Sequence, residues 1–140
     1  MDVLVGGWGS AMLDAAAAHA HRWNVAWDVP PAVFRTLSAH LDERCRARGR
    51  DPATIARTVG LTMCVGGDDQ IARALERRSR VPFLRDLTRE GLQERIIVGS
   101  VKECATRLRA YGADEVIVTS FDRDSIEMVE TVGAVAAALR

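Results

Sequence analysis

The chain has 140 residues, of which 48% are hydrophobic, which is enough to bury the core of one compact domain. Lysine plus arginine and aspartate plus glutamate number 19 each, so no basic excess indicates a nucleic acid or an anionic membrane as partner. No apolar run is long enough to span a membrane, no signal peptide is recognisable, and the three widely spaced cysteines do not suggest a disulfide framework. We therefore expect a single domain over residues 1–140 in a cytoplasmic protein.

The chain opens with an apolar run, Val3–Val5, which is followed by Gly6, Gly7, Gly9 and Ser10 and then by an alanine-rich segment. This order predicts a buried strand, a tight turn and a helix. Glycines leave the backbone amides of such a turn open, and the positive end of the helix dipole favours a phosphate or carboxylate there. Ser10 can cap the helix or donate its hydroxyl to the same anion. The alternative is that the glycines only make a turn with positive φ.

A second strand is predicted from Trp23 to Trp27, a short run of β-forming residues. A pair of prolines then begins a helix, and the charged residues between positions 35 and 48 are expected to form its solvent-exposed side. His19 and His21 precede the strand on different faces of their segment, with no cysteine or carboxylate at ligand spacing. We therefore expect no metal site.

The middle of the chain contains the nearly continuous apolar and β-branched run Thr58–Val65. Such a run is typical of a parallel strand that is covered on both faces. A charged helix should follow over about 69–78. The segment Ser79–Glu94 is ambiguous, because its apolar residues fit either a short helix between Pro82 and Gly91 or a partly mobile loop on the surface.

Near the end of the chain, Ser100 and Glu103 have the spacing of a capping box, which gives this serine a structural role rather than an anion-binding one. The run Glu115–Ser120 predicts a buried strand. Asp124 or Ser125 is expected to cap the last helix.

Strands and helices therefore alternate along the whole chain. Alternation of this kind predicts an α/β fold with a mainly parallel sheet and right-handed crossovers. A complete (β/α)₈ barrel has about 250 residues, so the sequence corresponds to half a barrel or to a small open sheet.

The sequence also resembles a known family in four stretches: VLVGGWGSAMLDAAAAHAHRWNVAW, GRDPATI, RTVGLTMCVGGD and IIVGSVKECATRLRAYGADEVIVTSF. Together they resemble the C-terminal half of luciferase-like flavin-dependent monooxygenases, most closely the branch that uses a deazaflavin coenzyme. The resemblance covers essentially all 140 residues. Its most specific parts are the GG-x-GS turn, the WN dipeptide and the GRDPATI linker, in that order.

The resemblance implies that the chain forms the last four βα units of a TIM-type barrel, which is its C-terminal half. It implies deazaflavin coenzyme F420 or FMN as cofactor, a small organic substrate, and hydride transfer with or without oxygen insertion. In the family the first turn holds the cofactor phosphate, and the end of the next strand faces the cofactor region. The residues of this chain that correspond are Gly6, Gly7, Gly9, Ser10, Trp23, Asn24 and Trp27.

The sequence departs from the family in two ways that matter for function. It contains no counterpart of the first barrel half, which in the family contacts the cofactor ring and supplies acid–base groups. It also has His21-Arg22 where the family commonly has Asp-Gly. We therefore assign no catalytic residue, expect a surface or structural role for His21, and leave both the substrate and the choice between FMN and the deazaflavin open.

Three functions are compatible with these observations. The chain can be part of a flavin- or deazaflavin-dependent oxidoreductase, a non-catalytic half-barrel that binds a phosphorylated ligand, or an oligomerisation module. Half a barrel leaves two strand edges and apolar surface exposed, which proteins rarely tolerate. We therefore expect a homodimer or a complementing barrel half in all three cases.

Overall fold

The computed structural model describes residues 1–82, 84–119 and 126–140. The chain divides into two compact units, one made of Met1–Gly60 with Tyr111–Ile117 and the other of Leu61–Ala110 with Val118–Arg140. This division does not test whether residues 1–140 fold as a single domain, which stays a prediction.

The described elements alternate as the sequence predicts. The strands are β1 (Leu4–Gly6), β2 (Arg22–Ala26), β3 (Ala56–Val65), β4 (Ile97–Gly99) and β5 (Glu115–Thr119). The α-helices are α1 (Ser10–His19), α2 (Pro31–Ala47), α3 (Asp68–Ser79), α4 (Arg89–Arg95), α5 (Val101–Arg109) and α6 (Ile126–Leu139), and a 3₁₀ turn spans Pro52–Thr54. None of the helices in the described part of the chain is both long and apolar enough to cross a membrane.

The sheet of the first unit is built around the first half of β3. β1 pairs in parallel with β2, and β2 pairs in parallel with β3. The Gly60 carbonyl accepts a hydrogen bond from the Asp28 N–H just after β2, whereas the Arg57 carbonyl accepts one from the Asp114 N–H just before β5. Because alternate residues of a strand direct their backbone groups to opposite sides, β2 and β5 lie on opposite sides of β3. The order in this unit is therefore β1-β2-β3-β5.

β5 is an edge strand of this order, and its burial differs from the prediction. The sequence predicts that Glu115–Ser120 is a buried strand, yet the Ile117 side chain is 42% exposed. The described pairing joins β5 to β3 alone, so its other edge lacks a covering strand within this part of the chain. Ser120 lies outside the described residues.

Three aromatic side chains form the centre of the first unit. Trp23 stacks on Phe34 with 6.0 Å between ring centroids, and Phe34 meets the edge of Tyr111 at 5.9 Å. All three are buried, and the Tyr111 hydroxyl donates to the Val29 carbonyl at 2.7 Å. This stack holds the beginning of α2 against β2.

The alanine-rich helix α1 has few polar side chains of its own to satisfy its last carbonyls. Arg50, which follows α2, supplies the donors instead. One of its terminal nitrogens donates to the Ala17 carbonyl at 3.1 Å and the other donates to the Ala20 carbonyl. A cation at the carboxyl end of a helix is also favoured by the helix dipole.

Arg50→Met should therefore lower the free energy of unfolding by about 1.5–3 kcal/mol, the range for hydrogen bonds to charged groups. The variant keeps an apolar chain and removes every donor, and urea denaturation measures the loss. Arg46→Met is the matched control, because the Arg46 side chain is 64% exposed and pairs only weakly with Asp42 at 3.6 Å. Equal losses in the two variants would show that Arg50 does not cap α1.

The second unit contains the second half of β3, which pairs in parallel with β4. Its core is a cluster of Leu75, Leu84, Leu92 and Ile96. Of the two possibilities for Ser79–Glu94, a short helix between Pro82 and Gly91 is wrong, because the helix in this part of the chain is α4, Arg89–Arg95. Its start is set by the Thr88 side chain, which accepts a hydrogen bond from the Gly91 N–H at 3.2 Å.

The capping box at the start of α5 is confirmed. The Glu103 carboxylate accepts from the Ser100 hydroxyl at 2.6 Å and from the Ser100 N–H at 2.8 Å. These hydrogen bonds hold the pKa of Glu103 below its usual value. One residue later, burial raises the pKa of the Cys104 thiol to about 11, so this thiol stays protonated at neutral pH and serves packing. The predicted caps of the last helix, Asp124 or Ser125, lie outside the described residues.

Candidate functional site

The candidate site is the turn between β1 and α1. Gly7 has φ +114°, which side-chain-bearing residues rarely adopt, and a Cβ there would lie 3.3 Å from Cγ of Met12. The Gly7 N–H donates to the Asn24 carbonyl at 3.0 Å, and the Gly7 carbonyl accepts from Nε1 of Trp23 at 2.8 Å. The fold itself therefore requires glycine at this position.

Gly6 and Gly9 differ from Gly7 in this respect. A Cβ at either position would meet no heavy atom within 4 Å, and neither has a positive φ. Gly9 has φ −61° and ψ 156°, an extended conformation open to any residue. The local backbone thus has no need of glycine at these two positions, and the space beside them is open.

The backbone N–H groups of residues 8–11 lie at the beginning of α1 and form no hydrogen bond to any described residue. The first N–H groups of a helix lack partners within the helix, and together they carry roughly half a positive charge. A negatively charged group placed beside Gly6 and Gly9 could accept hydrogen bonds from them. The turn therefore combines open space with backbone donors at a helix N-terminus, an environment that favours a phosphate or carboxylate.

Of the two roles considered for Ser10, capping of α1 is wrong, because the N-cap residue is Gly9 and Ser10 is already helical. The Gly9 carbonyl accepts the first backbone hydrogen bonds of the helix, from the N–H groups of Met12 and Leu13. The Ser10 hydroxyl oxygen instead accepts a hydrogen bond from a terminal nitrogen of Arg44 at 3.1 Å. Its remaining proton can be donated to a ligand at the turn.

Arg44 is a residue that the sequence does not single out. It reaches from α2 to the first turn of α1, where its Nε also lies 3.4 Å from the Asp14 carboxylate. Arg48, four residues further along the chain and directly after α2, lies 3.4 Å from the same oxygen of Asp14. The four-residue spacing of the two arginines indicates a shared helix face, but it does not say that this face lies against α1.

Trp23 and Asn24 of β2 both contact the turn through hydrogen bonds to Gly7. Trp23 is fully buried in the aromatic stack and touches the turn through its bond to the Gly7 carbonyl. Asn24 contacts the turn through its backbone carbonyl, and its side-chain oxygen lies 3.0 Å from the Thr58 hydroxyl. Both residues fix the position of Gly7. Direct contact of either with a cofactor stays a prediction, and burial of Trp23 does not favour it.

Trp27 lies beyond the end of β2 with its side chain 40% exposed. It rests on Gly60 of β3, where an added Cβ would lie 2.9 Å from two Trp27 ring atoms and 2.9 Å from Cβ of Ala26. The absence of a side chain at Gly60 therefore lets the Trp27 ring lie directly against β3 at this residue. Trp27 and the turn both follow the carboxyl ends of neighbouring strands, where α/β folds bind ligands.

His21 has a structural contact in this region, because its Nδ1 accepts a hydrogen bond from the Val3 N–H at 3.1 Å. Within residues 1–82, 84–119 and 126–140, no group of three or more histidine, cysteine, aspartate and glutamate residues could hold a metal ion. The groups that the candidate site offers to a ligand are the backbone amides of the turn, the Ser10 hydroxyl and the nearby Arg44.

Solved structures share this fold at low sequence identity. An F420-dependent secondary alcohol dehydrogenase, solved with an F420-acetone adduct, is 13% identical, with a TM-score of 0.82 over 100% of this chain and 49% of its own. The coenzyme F420-dependent tetrahydromethanopterin reductase from Methanopyrus kandleri is 16% identical, with a TM-score of 0.73 over 100% of this chain and 51% of its own. A riboflavin lyase, solved with modified FMN and riboflavin, is 11% identical, with a TM-score of 0.73 over 98% of this chain and 42% of its own.

This chain therefore spans about half the length of these solved structures or less. The α/β fold class with parallel βα units, corresponding to about half of a TIM-type barrel, is confirmed. No curated protein is significantly similar to the chain in sequence. A family model described as luciferase-like monooxygenase matches residues 2–83. Since this match covers more than half of the 140 residues, the chain belongs to the luciferase-like monooxygenase family.

Proposed function

We propose that this chain is the cofactor-phosphate-binding part of a flavin- or deazaflavin-dependent oxidoreductase, and that the turn from Gly6 to Ser10 binds the phosphate of FMN or coenzyme F420. The observation that carries the proposal is the open space beside Gly6 and Gly9, in a turn where the N–H groups of residues 8–11 form no hydrogen bond to any described residue. Glycine at two positions where the fold does not need it is explained if a ligand must approach the backbone there.

The charges around the turn support the same ligand. Arg44 is held beside Ser10, and together with Arg48 it outnumbers the single carboxylate of Asp14. The cluster thus retains one positive charge next to a helix end that already favours anions. In this proposal the Ser10 hydroxyl donates to a phosphate oxygen while Arg44 continues to donate to the Ser10 oxygen.

The other residues implied by the family resemblance act at a distance from the phosphate. Trp23 and Asn24 hold Gly7 in position by hydrogen bonds to its carbonyl and its N–H. Trp27 is partly exposed near the carboxyl end of β2. When bound, a flavin or deazaflavin supplies hydride transfer, and the protein's part is to hold, orient and shield it. Both cofactors are proposed because the structural neighbours include F420-dependent enzymes and one solved with modified FMN. The substrate is proposed only as a small organic molecule.

Fluorescence titration of the purified chain with FMN, coenzyme F420 and riboflavin tests the phosphate site directly. Trp8 lies within the turn and is 45% exposed, so its emission should report binding there. We expect the phosphate-bearing cofactors to bind at least about tenfold more tightly than riboflavin, since charge-assisted hydrogen bonds contribute about 1.5–3 kcal/mol each. Equal binding of riboflavin, or no binding of any of the three, would overturn the proposal.

Turnover is proposed to need a second barrel half, either a second copy of this chain or a complementing half. The support is the sheet order of the first unit, in which β1 and β5 are the edge strands among the described residues. The side chains of Leu4 and Ile117 on these edges are 50% and 42% exposed. Unpaired strand edges with apolar side chains favour the addition of further strands. A non-catalytic ligand-binding role would instead give cofactor binding without turnover when the second half is supplied.

Sedimentation velocity over a concentration series tests this association. We expect a dimer, and we expect Ile117→Lys to weaken it because a charge is placed at the β5 edge. Val33→Lys is the matched control, since Val33 is also 42% exposed but lies on α2. A chain that remains monomeric at high concentration and melts sharply would contradict the need for a second half.

A further inference from the structure

We draw no further inference here: the strongest candidate, the open groove of about 600 Å³ lined by Val98 of β4 and by polar side chains of α5, carries nothing because Glu103 and Arg107 in its lining are bound within the chain and the surface lysine Lys102 has nothing beside it that points to a ligand.

Discussion

Ser10→Asp is expected to lower the affinity for FMN or coenzyme F420 at least tenfold and to leave the free energy of unfolding unchanged or slightly higher. A carboxylate in the first turn of α1 stabilises the helix through its dipole by about 0.3–1 kcal/mol. It also offers Arg44 a charged acceptor in place of the hydroxyl. The same carboxylate would repel a phosphate at the turn, since two unit charges 4 Å apart near a protein surface interact by about 4 kcal/mol.

Affinity and stability are measured on the same samples, by fluorescence titration and urea denaturation. Ser10→Asn is the matched control, because it has nearly the size of aspartate without the charge. We expect this control to retain most of the affinity. If Ser10→Asp binds FMN as tightly as the unaltered chain, the phosphate does not lie at the turn. If asparagine and aspartate reduce affinity equally, size rather than charge is responsible and the electrostatic argument fails.

Gly60→Ala is expected to lower the free energy of unfolding by about 1–3 kcal/mol, the usual range for overpacking a tight core position. The added methyl group would lie 2.9 Å from Cβ of Ala26 and 2.9 Å from the Trp27 ring. The ring can tilt toward solvent, but Cβ of Ala26 is fixed by the backbone of β2. The strain therefore has to be relieved by separating β2 from β3.

Urea denaturation measures this loss, and the emission of the half-exposed Trp27 should change with it. Gly6→Ala is the control, because it makes the same chemical change at the end of a strand where a Cβ meets no atom within 4 Å. We expect its unfolding free energy to change by less than about 1 kcal/mol. Equal losses for the two variants would mean that the close approach at Gly60 is not what limits stability.

Features that depend on a few neighbouring residues could be predicted from the sequence. The capping box of Ser100 and Glu103 formed as expected. Asp51 caps the short turn at Pro52, as its position before a proline indicates, by accepting from the Ala53 N–H at 3.0 Å. In both cases the partners lie within three residues of each other. The local sequence therefore contains all the information that the contact needs.

Features that depend on distant parts of the chain could not be predicted in this way. Arg44 meets Ser10 across 34 residues, and the contact exists because one face of α2 lies against α1. The exposure of β5 likewise depends on its place beside β3 and not on its own apolar sequence. For the turn, glycine spacing indicated an anion site, but it could not distinguish Gly7, which the fold requires, from Gly6 and Gly9, which it does not.

The hydrogen bond between the Trp23 indole and the Gly7 carbonyl has a consequence for how sequences of this kind can diverge. The indole is stacked on Phe34, which in turn meets Tyr111, so a substitution at Phe34 is expected to shift the ring that holds Gly7. If the turn binds the cofactor phosphate as proposed, a substitution at this interior position is expected to change both the stability of the fold and the affinity for the ligand. On the proposed function, Phe34 would then adjust the affinity of the turn without contacting the ligand.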